Sequence, residues 1–113
     1  MIKRGTIYWV DFNPVKGSEI GKIRPAVVVS NNINNQYNAT VTVVPVSSTI
    51  SKIYPAEIFL SKGEANLQND SKAKADQIRT VDKRRLGNEI GKLSSSKIEE
   101  LETAILIHLN ISI

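Results

Sequence analysis

The chain has 113 residues and a net charge of +4, with 41% apolar and 23% charged residues. This length and composition fit one compact domain, residues 1–113, with a core of its own. There is no cysteine and one histidine, His108, which excludes disulfides, cysteine zinc sites, thiolate nucleophiles and two-histidine sites. No segment approaches the ~20 apolar residues of a membrane span, and the N-terminus lacks a signal-peptide pattern, so we expect a cytoplasmic protein.

The charge is unevenly distributed along the chain. Residues 1–97 carry 15 basic and 8 acidic side chains, whereas residues 98–113 carry three acidic side chains and neither lysine nor arginine. A basic body favours polyanionic partners through phosphate contacts and counterion release. A solvated surface adjusted for solubility is the alternative that charge alone leaves open.

Short runs of β-branched and aromatic residues between polar turns predict a series of strands in the N-terminal half. Apolar side chains on both faces of the first run indicate a strand enclosed on two sides. Pro25 suits the first position of a strand, where its missing N–H needs no partner. We predict strands at 6–12, 24–30 and 40–46 (the last stopped near Pro45), a loop at 13–23, a turn or short irregular helix at 31–38, and a hydroxyl-rich loop at 47–51.

The C-terminal half is predicted as further short strands followed by one helix. The strands are expected at 55–60, 72–81 (interrupted) and 88–93, with a loop at 61–71 and a helical turn at 82–86 ended by Gly87. Spacings of 3, 4 and 4 predict an amphipathic helix whose apolar stripe is Ile98, Leu101, Ile105 and Leu109. Ser96 with Glu99 fits a capping box, although Ser94 could equally be the cap. Together these elements predict a small, mostly antiparallel barrel with a C-terminal helix.

Arginine, hydroxyl groups and isolated carboxylates are the groups left for chemistry. Arg24 stands where a polar loop enters a buried strand, and Ser47 and Ser48 follow another strand. In RNA the neighbouring 2′-OH is the nucleophile, so the protein need only hold the phosphate and manage two protons. Arg24 can grip phosphate oxygens bidentately, and Asp76 or Glu19 is better suited than arginine to act as the base. Arg24 could instead pair with one of these two carboxylates, and the serines could be ordinary turn residues.

Several motifs taken together resemble a known family. They are Lys3-Arg4-Gly5, Ile7 to Pro14, Gly17-Ser18-Glu19, Arg24-Pro25 with its valine run, Val44 to Ser48, Tyr54-Pro55, and Asp76 to Asp82. This set resembles the MazF/PemK-type endoribonuclease toxins of type II toxin–antitoxin systems and spans nearly the whole chain.

The resemblance implies an SH3-like barrel, a homodimer, and cleavage of single-stranded RNA without a metal or other cofactor. The products would be a 2′,3′-cyclic phosphate and a 5′-hydroxyl. It also implies a cognate, MazE-like antitoxin whose acidic, disordered segment covers the RNA groove.

The family's catalytic arginine corresponds to Arg24, and its catalytic threonine corresponds to Ser47 or the adjacent Ser48. Where some relatives use an Arg-x-Asp pair, this chain has Lys74 and Asp76, and Ser18 replaces a loop histidine. The remaining residues assigned to RNA binding are Gly17, Glu19, Lys52 and Gln77.

Two rival functions stay open at the level of the sequence. A non-enzymatic toxin of the same fold class binds and poisons DNA gyrase, and that function predicts a Trp-Gly-Ile-like C-terminus. This chain ends Leu-Asn-Ile-Ser-Ile, which argues against it. A barrel that binds RNA without cutting it is the second rival.

Overall fold

A computed structural model gives the fold and describes residues 1–112. These residues form seven strands and two α-helices, with single 3₁₀ turns at Glu64–Asn66, Ala75–Gln77 and Lys83–Arg85. The strands and helices are β1 (Thr6–Asp11), β2 (Ile23–Val28), α1 (Asn32–Tyr37), β3 (Thr40–Ser47), β4 (Glu57–Leu60), β5 (Ser71–Lys74), β6 (Arg79–Asp82), β7 (Leu86–Lys92) and α2 (Ser95–Leu109).

The strands form one antiparallel sheet in the order β4-β5-β3-β2-β1-β7, and β6 pairs with β3 beside β5. The turn after β4 lies against the far end strand, β7, because the Asn66 side-chain amide donates to the Ile90 carbonyl at 3.0 Å. Gly91 permits this approach, since a Cβ there would collide with the Ala65 backbone. The predicted class, a mainly antiparallel β fold with a C-terminal helix, is confirmed.

The sheet has an apolar layer on each face. On one face Ile7, Val27 and Val44 belong to a cluster that α2 covers through Leu101 and Ala104. The opposite face carries a second cluster from the alternate positions of β1, β2 and β3, joined by Phe12 just after β1 and by Val81 of β6. Its members are Tyr8, Val10, Phe12, Ala26, Val28, Val41, Val43 and Val81. Because side chains alternate along a strand, β1 contributes to both layers, as its sequence predicts.

Strand β3 continues through Pro45, so the expectation that this proline stops the strand is wrong. On one side of β3, strand β6 pairs with residues up to Val43, and β5 pairs with Val46 and Ser47. Pro45 lies in the gap between these two ladders, where the missing N–H interrupts neither. The same gap explains the predicted interruption of 72–81, which the turn Ala75–Gln77 divides into β5 and β6.

One predicted boundary differs in the structure, and the predicted short helix at 31–38 is confirmed. Gly87 does not end the turn at 83–85 but lies inside β7, where a Cβ on this residue would come within 3.5 Å of Trp9 of β1. The segment 31–38 is a short α-helix capped by Asn31, whose side chain accepts from the Asn34 N–H at 2.8 Å. Asparagine at the N-cap supplies the acceptor that the first helical N–H groups lack.

Helix α2 begins after Ser94, whose hydroxyl accepts from the Lys97 N–H at 3.4 Å. The cap is therefore Ser94, and the Ser96 capping box is wrong. Of the predicted apolar stripe, Leu101 is buried, but Leu109 is 50% exposed. None of the helices in residues 1–112 is long and apolar enough to cross a bilayer.

Candidate active site

Arg24 lies on β2 opposite Val10 of β1. Strand alternation places it on the face that carries Ala26 and Val28, at the edge of the second apolar layer. Its Nε donates to the Gly21 carbonyl at 2.6 Å, which anchors the guanidinium against its own loop. Among the ion pairs of residues 1–112, none includes Arg24. The alternative that Arg24 is neutralised by a carboxylate is therefore absent from this conformation.

Ser47 is the last residue of β3 and pairs with Lys72 of β5. The β2–β3 ladder pairs Ala26 with Pro45, and the same register continued two residues further sets Arg24 opposite Ser47. Ser47 is 7% exposed, and its Oγ accepts from the Thr49 N–H at 3.2 Å. It is thus a strand-end residue with a fixed hydroxyl and not, as expected, part of the loop.

Ser48 is the first residue after β3. It lines a groove of about 730 Å³, together with Trp9, Arg24, Thr49, Asn69 and Asn88 among others. Strand alternation therefore favours Ser47 as the neighbour of Arg24, whereas the groove lining favours Ser48. The register determines on which face of the sheet a side chain lies, and it places Ser47 on the same face as Arg24.

The loop before Arg24 is tied to the turn between β5 and β6. The Ile20 N–H donates to Gln77 Oε1 at 3.1 Å, which joins residues far apart in sequence. Gly17 has a φ of 55°, and the Glu19 carboxylate accepts from the Lys16 N–H at 2.6 Å within the loop. Ser18 is exposed. Gln77 therefore lies at the loop, while the Glu19 carboxylate holds the shape of the loop.

Lys74 and Asp76 lie together, with the Lys74 Nζ 3.9 Å from Asp76 Oδ1. The closer partner of Lys74 is Glu57, whose Oε2 lies 2.6 Å away. Lys52 is exposed and places its Nζ 5.0 Å from the centre of the Tyr54 ring.

Sequence reasoning missed two functional candidates, Glu57 and Lys72. Their side chains are 2% and 10% exposed, and the Lys72 Nζ lies 3.0 Å from Glu57 Oε1. In sequence each is an ordinary polar residue of a short strand. The period-2 pattern of β5 could have shown that Lys72 shares a face with Lys74.

Burial by itself raises the pKa of the Glu57 carboxyl. Hydrogen bonds from Lys74, the Tyr54 backbone N–H and Lys72 outweigh this effect, so the pKa lies below its usual value. Glu57 is therefore a buried carboxylate that stays ionised between two ammonium groups.

Comparison with known proteins agrees with this architecture. Residues 3–109 match the family described as PemK-like, MazF-like toxin of type II toxin–antitoxin system. Endoribonuclease MazF9 of Mycobacterium tuberculosis is 43% identical over 119 residues, which cover 98% of each chain. MazF from Deinococcus radiodurans has a TM-score of 0.86 at 25% identity over 97% of each chain. A MazE–MazF complex from the same organism contains a chain with a TM-score of 0.77 at 27% identity over 98% of each chain.

These relatives confirm the family predicted from the motifs, and the curated relative carries the predicted enzyme class, endoribonuclease. The match spans nearly all of the sequence, so it includes the strands that hold Arg24 and Ser47 and the turn that holds Gln77. The chain belongs to the PemK-like, MazF-like toxins of type II toxin–antitoxin systems.

Proposed function

We propose that this chain is an endoribonuclease toxin that cleaves single-stranded RNA at specific sequences without a metal ion. The 2′-oxygen attacks the adjacent phosphorus, the P–O5′ bond breaks, and the products are a 2′,3′-cyclic phosphate and a 5′-hydroxyl. The observation that carries this proposal is Arg24, which lies near the start of β2. It forms no ion pair within residues 1–112, and the loop that precedes it is tied to Gln77.

In this mechanism Arg24 stabilises the charge that builds on the phosphate oxygens. A guanidinium can offer two parallel N–H donors, and its attachment to Gly21 through Nε leaves the two terminal nitrogens for the phosphate. The hydroxyl of Ser47 donates to a further oxygen, and Ser48 is the alternative donor. Such prearranged donors supply much of the rate enhancement in charge-forming reactions.

Asp76 is the candidate for accepting the 2′-OH proton. Its side chain is 38% exposed, so its carboxylate is accessible, and Lys74 lies beside it. Arg24 is unsuited to that role because guanidinium groups keep their proton. Gln77, with Gly17, Ser18 and Glu19 of the loop, would bind bases through hydrogen bonds to their edges.

The partners follow from the family and from the charge distribution. The antitoxin would place an acidic, disordered segment along the basic face of the toxin, in competition with RNA. We further propose that the toxin acts as a homodimer in the cytoplasm, where its mRNA substrates are.

The test measures cleavage of a long RNA in EDTA and maps the new 5′-hydroxyl ends by sequencing. Arg24→Ala should lower kcat about 100- to 1000-fold, the loss typical of removing one oxyanion donor. The matched control, Lys62→Gln, removes an exposed cation from another loop and should leave kcat unchanged.

Comparing Ser47→Ala with Ser48→Ala decides between the two hydroxyls, and we expect the larger loss at Ser47. Undiminished cleavage by Arg24→Ala in EDTA would refute the proposal. Gyrase-dependent DNA breakage without RNA cleavage would support the gyrase rival instead, and tight RNA retention with intact product would support simple RNA binding.

A further inference from the structure

A cluster of side chains lies beside the proposed site, and of its members only Lys52 and Lys74 were assigned to RNA binding from the sequence. It consists of Lys52, Tyr54, Glu57, Lys72 and Lys74, and we call it the Glu57 cluster. Glu57 accepts hydrogen bonds from the Tyr54 N–H at 2.9 Å, from Lys72 Nζ at 3.0 Å and from Lys74 Nζ at 2.6 Å. Lys72 Nζ also donates to the Lys52 carbonyl at 2.9 Å. One buried carboxylate therefore fixes two ammonium groups and the backbone of Tyr54.

The cluster adjoins the proposed catalytic residues through the sheet. Lys72 is paired directly with Ser47, so the two side chains lie on the same face of adjacent strands. Residues opposite each other on an antiparallel ladder have Cβ atoms about 5 Å apart. In the next strand, Phe59 pairs with Lys72 and is 39% exposed. Arg24, Ser47 and Lys72 thus follow one another across three strands.

Tyr54 combines a fixed backbone with an exposed ring. Its side chain is accessible, the residue being 53% exposed, although Glu57 holds its N–H. The Lys52 and Lys72 ammonium groups lie 5.0 and 5.7 Å from the ring centre. An aromatic ring flanked by cations on a basic face is the arrangement with which proteins bind single-stranded RNA: the base stacks and the cations meet the phosphate.

We propose that the Glu57 cluster is a nucleotide subsite next to the scissile phosphate. This inference rests on the proposed function. The base of a neighbouring nucleotide stacks on Tyr54, and Lys52 neutralises its phosphate. Lys72 stays bound to Glu57 and to the Lys52 carbonyl. Glu57 is a positioning residue, since it touches no RNA and acts through Tyr54 and the two buried lysine ends. Lys52, whose side chain is exposed, can leave the ring for the phosphate when the base arrives.

The subsite is expected to act on binding more than on the chemical step. Base–aromatic stacking of the usual strength corresponds to roughly 5- to 150-fold in affinity per base. Loss of one phosphate contact should lower the magnitude of the salt slope of log K by about 1. Tyr54→Ala should therefore raise KM roughly 5- to 150-fold and leave kcat near its normal value. Tyr54→Phe, which keeps the ring, should restore KM.

The experiment uses the full chain and a short RNA that spans a mapped cut site. Binding is measured with the same oligonucleotide made fully 2′-O-methylated, so that it cannot be cut. Lys52→Gln should reduce the salt slope of binding by about 1, whereas Lys62→Gln should not change it. Glu57→Gln should raise KM without lowering kcat, once the folded fraction is measured by circular dichroism.

The outcomes separate this inference from the proposed function. If the unaltered chain cuts no RNA, the proposed function and this inference both fail. If it cuts RNA and Tyr54→Ala has normal KM and binding, only the subsite is refuted. A fall in kcat equal for Tyr54→Ala and Tyr54→Phe would also refute stacking, since the ring is retained in the second variant.

Discussion

Replacing Glu57 by glutamine should be among the most damaging polar substitutions in the protein. The change keeps the shape of the side chain but removes the charge between Lys72 and Lys74. Breaking a buried ion pair by removing one partner costs about 3–5 kcal/mol, because the other charge stays buried and unpaired. Here the lysine side chains are 10% and 21% exposed and can regain some water. We therefore expect the Glu57→Gln variant to have a free energy of unfolding about 2–4 kcal/mol lower than that of the unaltered chain.

The assay is urea unfolding at pH 7, at one fixed protein concentration because self-association would add to the apparent stability. For a chain of this length the loss corresponds to a fall in Tm of roughly 10 °C. Glu100→Gln is the control, since it removes the carboxylate of the exposed Lys97–Glu100 pair. That pair should contribute no more than about 0.5 kcal/mol.

The same variant gives a pH test with a definite sign. The pKa of Glu57 is lowered in the folded protein from an ordinary value of 4.5. Its contribution is therefore fully present above pH 4.5 and is lost as the pH falls through the lower, folded-state pKa. In Glu57→Gln this part of the acid dependence should disappear. Suppose instead that Glu57→Gln lowers the free energy of unfolding by less than about 1 kcal/mol at pH 7 and leaves its dependence on acid pH unchanged. That result would refute the conclusion that the Glu57 carboxylate stabilises the fold through Lys72 and Lys74.

Two further predictions concern the contact between the turn after β4 and strand β7, and the carboxylate of Asp82. Gly91→Ala should lower Tm, because the added Cβ meets the Ala65 backbone, which cannot move as a side-chain end could; an unchanged Tm would show that the turn after β4 is not held against β7. The pKa of Asp82 should be about 2, because Arg84 donates to it from its side chain and its backbone. Any stability from that pairing is present above pH 3.8 and lost as the pH falls toward 2, and NMR titration of the Asp82 carboxyl checks it, with Arg84→Gln expected to raise the pKa.

Local sequence patterns determined most of the secondary structure. The alternation around Ile7 and Tyr8 predicted apolar layers on both sides of β1, and the spacing of Ile98, Leu101 and Ile105 predicted α2. These predictions succeed because the period of a strand or helix is written in neighbouring residues. The prediction that β3 stops near Pro45 failed, because the effect of a proline in a strand depends on which neighbouring strands pair beside it.

The candidate site also combines features that the sequence predicted with features that only the tertiary structure shows. The sequence alone located Arg24 at a junction of loop and strand, and it marked Ser47 and Gln77 as candidates through their motifs. Only the tertiary structure could bring Glu57 under Lys72 and Lys74, 15 and 17 residues away, or set Ser47 opposite Lys72. Strand register decides these contacts, and a shift of one residue would turn every one of these side chains to the other face. The sequence thus determined which functional groups are present. Pairing between strands that are distant in sequence decided that these side chains lie together on one face of the sheet.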